Sequence, residues 1–207
     1  MKFGLAFGSS IAVEGSDAIE LCRRAEAVGF ESVWGGEHVI RPLSIESKYP
    51  YTPDGVAPGD HDTPVPDPLI WLAYVAAAAP TLRLGTCILI VPQRNPLILA
   101  KELATLDRLS GGRVELGIGV GWMKEEFDAL GIAWERRGAR TDEYLAAMQA
   151  HQDYRRSVTA WWTDGFDLLI TPTITAPPPR IGEMVPDPAK PLDAFMRSGG
   201  LLPFTLP

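Results

Sequence analysis

His38, one of three histidines in this 207-residue chain, stands beside Glu37 after the apolar run 30–34 and a Gly35-Gly36 pair. An imidazole at the end of a strand can take or give a proton near neutral pH. A lone histidine in that position serves structure about as often as catalysis. A second chemical feature is Gly117-Ile118-Gly119-Val120-Gly121, followed by Trp122. Its spacing is GxGxG and not GxGxxG, and it falls on the fourth strand-like run instead of the first, so it is not a dinucleotide fingerprint. Glycines so placed let a strand end pack closely, or let a flat ligand lie against the backbone. Ser110 and Ser198 each precede a Gly-Gly pair. The first reads as a helix stop, and the second has no histidine or lysine context for a nucleophile. Cys22 and Cys87, the two cysteines, sit within helical and strand-like patterns and read as reduced core residues. No metal site is expected.

These residues need elements to hold them. Residues 2–8 form a short apolar run that ends in Gly-Ser-Ser, a strand and a loop. Ser16-Asp17 can cap a helix with Ala18, Leu21, Cys22, Ala25 and Val28 at helical spacing, stopped by Gly29. Residues 30–34 form the second strand. A loop follows over 41–66 with six prolines, and a loop that long is usually a lid or disordered. Asp67-Pro68 opens a second helix that runs to Ala79. Residues 82–91 form a continuous apolar strand, of the kind buried on both faces of a parallel sheet. Asn95-Pro96 caps and starts a third helix that stops at Ser110-Gly111-Gly112, and 113–120 is the fourth strand. Strand and helix alternate four times, the arithmetic of parallel β/α units. One long helical pattern covers 138–163, then a strand-like run at 167–171, and nine of the last 37 residues are proline. So Pro-rich a tail cannot supply four more such units.

A formal net charge of −7 argues against nucleic acid or an anionic membrane as partner. The opening MKFGLAFGSS lacks the apolar core of a secretion signal, and the longest apolar run, 69–79, stops at Pro80. The expectation is a cytoplasmic globular protein acting on a small molecule.

Three stretches resemble the luciferase-like monooxygenase superfamily, in particular its coenzyme F420-dependent oxidoreductases. They are AEAVGFESVWGGEH, LRLGTCILIVPQRNPLILAKELATLDRLSGGRVELGIGVGW and ERRGARTDEYLAAM. The resemblance covers residues 1–150 and implies an α/β fold, the first four β/α units of a TIM (β/α)8-type barrel. It implies that His38 lies near the reactive face of the deazaflavin, with Glu37 beside it. The Cys87-Ile88 bond matches a non-prolyl cis peptide that buttresses the ring. Gly119, Val120 and Gly121 match the strand end along the cofactor, with Trp122 close to the substrate pocket. The implied chemistry is hydride transfer between F420 and a small organic substrate, with an FMN-dependent monooxygenase as the nearest variant.

Residues 151–207 instead resemble the C-terminal part of an amidase-signature hydrolase, through DGFDLLITPTITAPPPRIGE and the ending SGGLLPFTLP. That family's nucleophile segment is not matched, so the segment brings no chemistry of its own. A change of text inside one helical pattern implies a fusion or assembly artefact with neither parent complete. Two consequences are expected. Cofactor affinity and activity are impaired, because later barrel strands carry the phosphate-bearing tail; the alternatives are an amidase-type hydrolase fragment or a catalytically inactive fusion chain. The first and fourth strands are open edges beside an exposed apolar face, which invites a homo-oligomer or a completing partner.

Overall fold

The computed structural model describes residues 2–163. The chain divides into two compact units, Met1–Tyr154 and Arg155–Pro207, and the first contains the sheet. The strand-like run at 167–171 and residues 164–207 of the expected amidase-like segment lie outside the described residues.

Four strands, β1 (Gly4–Leu5), β2 (Ser32–Gly35), β3 (Arg83–Ile90) and β4 (Val114–Gly119), pair in parallel in the order β1-β2-β3-β4. Between and after them run α1 (Gly8–Ile11), α2 (Gly15–Ala27), α3 (Pro68–Ala76), α4 (Pro96–Ser110), α5 (Lys124–Ala129) and α6 (Arg137–Thr163). The β/α alternation read from the sequence is therefore present, with two additions. Phe7 takes a left-handed conformation at φ 56° and turns the chain after only two strand residues, so Gly8-Ser9-Ser10 begins a short helix and not a loop. The six-residue α5 is too short to show a helical period.

Local chemistry fixes the helix ends. The Asp67 carboxylate accepts from the backbone N–H of Leu69 at 2.9 Å and of Ile70 at 3.0 Å, and Pro68 follows it at the first helical position. Asn95 repeats the arrangement ahead of Pro96, accepting from Leu97 and Ile98. Gly111 closes α4 at φ 74°, where a side chain would be strained, and Gly112 N–H donates to the Asp107 carbonyl. At α2 the expected Ser16-Asp17 cap gives way. The helix starts at Gly15 after Glu14, with no side-chain cap, and Asp17 lies inside its first turn.

The core forms where one face of the sheet meets the helices. Val33 and Leu84, register partners on β2 and β3, pack with Leu72 and Val75 of α3, and with Leu99, Leu103 and Leu106 of α4. Ala18, Cys22 and Ala25 of α2 and Met148 of α6 complete it. Each buried leucine contributes about 1.5–3 kcal/mol of burial free energy, so this face holds the unit together.

The opposite face is not the apolar surface expected from the sequence. Strand alternation puts Ser32 and Trp34 of β2 there, beside Arg83 and Gly85 of β3 and Glu115 of β4. The Trp34 ring covers Gly85, where a Cβ would come within 2.1 Å of it, and its indole N–H donates to Ser32 Oγ at 2.8 Å. Arg83 pairs with Glu115 at 2.5 Å. The face is polar and aromatic at this end. Exposed apolar side chains gather at the other end of the strands.

Candidate active site at the strand ends

β2 ends at Gly35, so Gly36, Glu37 and His38 emerge at the C-terminal end of the sheet. β3 breaks register with β4 between Thr86 and Leu89, and the Cys87-Ile88 peptide within that break is cis. The Thr86 hydroxyl holds the break in place, donating to the Gly117 carbonyl at 2.8 Å and accepting from the Gly117 N–H at 3.0 Å. A Cβ on Gly117 would meet the Thr86 carbonyl oxygen at 2.1 Å. Ile88 lies over Gly119, where a Cβ would fall 1.9 Å from its Cδ1. Close approach thus fills the space beside both glycines, with backbone at Gly117 and a flexible side-chain tip at Gly119, the structural reading of the GxGxG run. Ile88 and Val120 remain 40% and 43% exposed. Together they make an open apolar shelf along the strand ends.

The break also corrects the reading of β3 as buried on both faces. Leu84, Thr86, Leu89 and Ile90 are buried, while Cys87 and Ile88 are exposed. Cys87 is therefore no core residue. Cys22 is, and burial pushes its thiol up to about 11.

His38 stands at the rim of the shelf, its side chain 21% exposed. Its Nδ1 lies 3.1 Å from Oε1 of Glu126, a carboxylate on α5 with no exposure. The same oxygen accepts the Val39 N–H at 2.9 Å, and the Gln93 amide approaches the other oxygen at 3.5 Å. The Trp122 ring meets the His38 ring edge-on, centroids 6.0 Å apart, and Tyr49 meets Trp122 at 5.1 Å.

Glu37 occupies a different environment from its neighbour. Its carboxylate is buried, accepting from the Ile90 N–H and from the Arg94 guanidinium, with the Arg94 Nε–H at 2.8 Å. Arg94 also pairs with Asp67, at 2.5 Å. Burial raises the Glu37 carboxyl above its usual range, against the opposing pull of Arg94 and Ile90. Burial likewise opposes the charge on Arg94, but Glu37 and Asp67 outweigh it and hold the guanidinium up. With both oxygens engaged below the surface, Glu37 ties β2 to the end of β3.

The loop between β2 and α3 covers one side of the site. Trp122 helps to line a cavity of about 290 Å³ with Arg41, Leu43, Ile45, Val56 and His61 of that loop. α5 fastens the loop from below. Glu125 Oε1 accepts from the Glu46 N–H at 2.7 Å and the Ser47 N–H at 3.0 Å, and Ser47 Oγ accepts from the Lys124 N–H. Among the described residues no group of three or more His, Cys, Asp or Glu could hold a metal ion. No helix among them is long and apolar enough to cross a membrane.

His38, Cys87, Ile88, Gly119, Val120, Gly121 and Trp122 thus lie toward one end of the sheet. Glu126, Gln93 and Tyr49 were not legible beforehand. Glu126 belongs to the short α5, and Gln93 to a 3₁₀ turn, Val91–Gln93, directly after β3.

Residues 1–186 match the family model described as luciferase-like monooxygenase. The chain belongs to the luciferase-like monooxygenase family. The family match crosses the boundary drawn near residue 150 and takes in part of the segment assigned to an amidase-like addition. An uncharacterized protein of Mycobacterium tuberculosis is 35% identical over 150 residues, 72% of this luciferase-like chain and 52% of that protein. The chain therefore spans about half the length of the curated relatives it matches. An F420-dependent glucose-6-phosphate dehydrogenase of Amycolatopsis mediterranei is 34% identical over 133 residues, 62% of this chain and 35% of that enzyme. Among solved structures, an F420-dependent secondary alcohol dehydrogenase in complex with an F420-acetone adduct is similar, with TM-score 0.53 and 26% identity. That likeness covers 72% of this chain and 42% of the dehydrogenase.

Proposed function

We propose that this chain takes part in two-electron oxidoreduction of a small organic substrate with coenzyme F420, His38 serving as proton acceptor or donor. The observation that carries the proposal is the apolar shelf made by the Cys87-Ile88 break and the Gly119 strand end, with a carboxylate-held imidazole at its rim. The fit to the cofactor rests on shape. A strand end where Gly119 lets Ile88 lie against the backbone suits a flat ring, and the exposed Ile88 and Val120 offer it apolar contact.

When bound, the deazaflavin ring supplies a site that takes up or gives a hydride. The chain's own residues do the rest. As a substrate hydroxyl is oxidised, the His38 imidazole takes its proton, and in the reverse direction it returns one. Trp122 and the loop over the 290 Å³ cavity limit water at that point. Glu37 and Arg94 keep the ends of β2 and β3 in register beneath it. Residues 1–150 carry this chemistry, and 151–207 contribute none. A serine-reactive probe is therefore expected to leave the chain unlabelled.

Fluorescence titration of the purified chain with F420 and, separately, with FMN tests the reading. Micromolar binding of F420 and none of FMN is expected. Preference for FMN would move the chain to the monooxygenase side of its family, and no binding of either by a folded sample would overturn the proposal.

A further inference from the structure

We infer that Glu126 is a positioning residue that holds the His38 imidazole in its Nδ1–H tautomer and leaves Nε2 as the proton-accepting atom of the site. The geometry stands on its own, and only its consequence for turnover rests on the oxidoreductase reading. Glu126 is fully buried, and each described polar partner is a donor or able to be one: Val39 N–H at 2.9 Å, Gln93 Nε2 at 3.5 Å and His38 Nδ1 at 3.1 Å. Val39 N–H donates to the same oxygen that faces His38 and the Gln93 amide to the other, so this carboxyl is the acceptor of the cluster and the imidazole nitrogen facing it carries the hydrogen. Neutral His38 then has its lone pair on Nε2, the nitrogen on the far side of the ring from Glu126.

The arrangement is rigid. Oε1 is shared between His38 and the N–H of the next residue, Val39, so the carboxylate and the histidine backbone move as one frame. The edge-on Trp122 ring restrains rotation of the imidazole. Glu37, adjacent in sequence, is turned to Arg94 and Ile90 and does not compete for Nδ1. Tyr49 in turn packs edge-on against Trp122. A role confined to anchoring α5 would need only the Val39 bond. The second contact, aimed at one ring nitrogen, selects a tautomer.

The test is nitrogen-15 NMR on full-length chain labelled at its three histidines, with His38 assigned from the signal lost in His38→Gln. In the wild type the unprotonated nitrogen of neutral His38 should be Nε2. Glu126→Met removes the acceptor, and the unprotonated signal should pass largely to Nδ1, the balance of a free imidazole. Glu126→Gln keeps an acceptor oxygen and should retain the Nδ1–H form. The buried Gln93 amide, whose Oε1 lacks a partner, can turn to receive the new amide N–H. A wild-type His38 protonated on Nε2, or a folded Glu126→Met with an unchanged tautomer, overturns the inference. If Glu126→Met does not fold, the wild-type and Glu126→Gln spectra decide alone. Absence of F420 binding would strike the oxidoreductase reading and leave the tautomer assignment untouched.

Discussion

Two glycines two residues apart on β4 separate fold from function. At Gly117 an added Cβ meets backbone, the Thr86 carbonyl oxygen at 2.1 Å, which cannot step aside. Gly117→Ala should destabilise the chain by about 2–3 kcal/mol, since the strands must part or the Thr86 bonds break. Urea unfolding would show this as a lower midpoint. At Gly119 the obstacle is the tip of the Ile88 side chain, at 1.9 Å, which can rotate away. Gly119→Ala should therefore leave the unfolding midpoint nearly unchanged while pushing Ile88 onto the shelf. F420 affinity should fall about tenfold or more, and equal losses of stability in the two variants would refute the distinction.

Among the elements, α5 and α3 show how short pieces hold larger ones. Desolvation works against the charge on Glu125 of α5. The hydrogen bonds from its own backbone N–H, from the Ser47 side chain and from the N–H groups of Ser47 and Glu46 outweigh it and bring the carboxyl down to about 2. A carboxyl with a depressed folded-state pKa stabilises above its unfolded value, near 4.5, and that stability is lost as pH falls toward 2. Glu125→Gln should be less stable than wild type at pH 7, by about 1 kcal/mol. The gap should narrow in urea titrations repeated down to pH 3, and a gap independent of pH would remove the charge from the explanation. The second case is Arg113, whose guanidinium donates to the carbonyls of Ala76, Ala79, Leu82 and Ser110. These include the unpaired end of α3. Arg113→Met keeps the stem but strands those carbonyls, and should cost about 2–3 kcal/mol in chemical denaturation.

Legibility also divides by element. Asp67-Pro68 and Asn95-Pro96 carry their caps and first helical residues in adjacent letters, and both helices start there. Parallel pairing follows from alternation, while the order β1-β2-β3-β4 is the one the barrel resemblance implied. What could not be read depends on partners distant in sequence. Glu126 meets His38 across 88 positions, and Glu37 meets Arg94 across 57. Nothing in either local pattern distinguishes a carboxylate aimed at a ring nitrogen from one buried against an arginine. Phe7 is a different kind of miss, a bulky residue at positive φ whose type gives no sign of a turn.

For the whole molecule, the sheet ends among the described residues at β1, two residues long, and β4, six. An unpaired strand edge is a template for another chain, and β4 is the longer one. Light scattering is expected to give twice the monomer mass at micromolar concentration. A dispersed monomer at all concentrations would show that the polar face of Ser32, Arg83 and Glu115 is enough to keep the edges apart in water.

The two cysteines make this chain its own reporter. Thiol reagents attack the thiolate. Cys22 is buried with its thiol raised to about 11, whereas Cys87 is exposed on the break in β3 that forms the shelf. A fluorescent maleimide at neutral pH should therefore label one position without mutagenesis. On the proposed reading the dye would take the place of the ring, so F420 added beforehand should slow the labelling of Cys87.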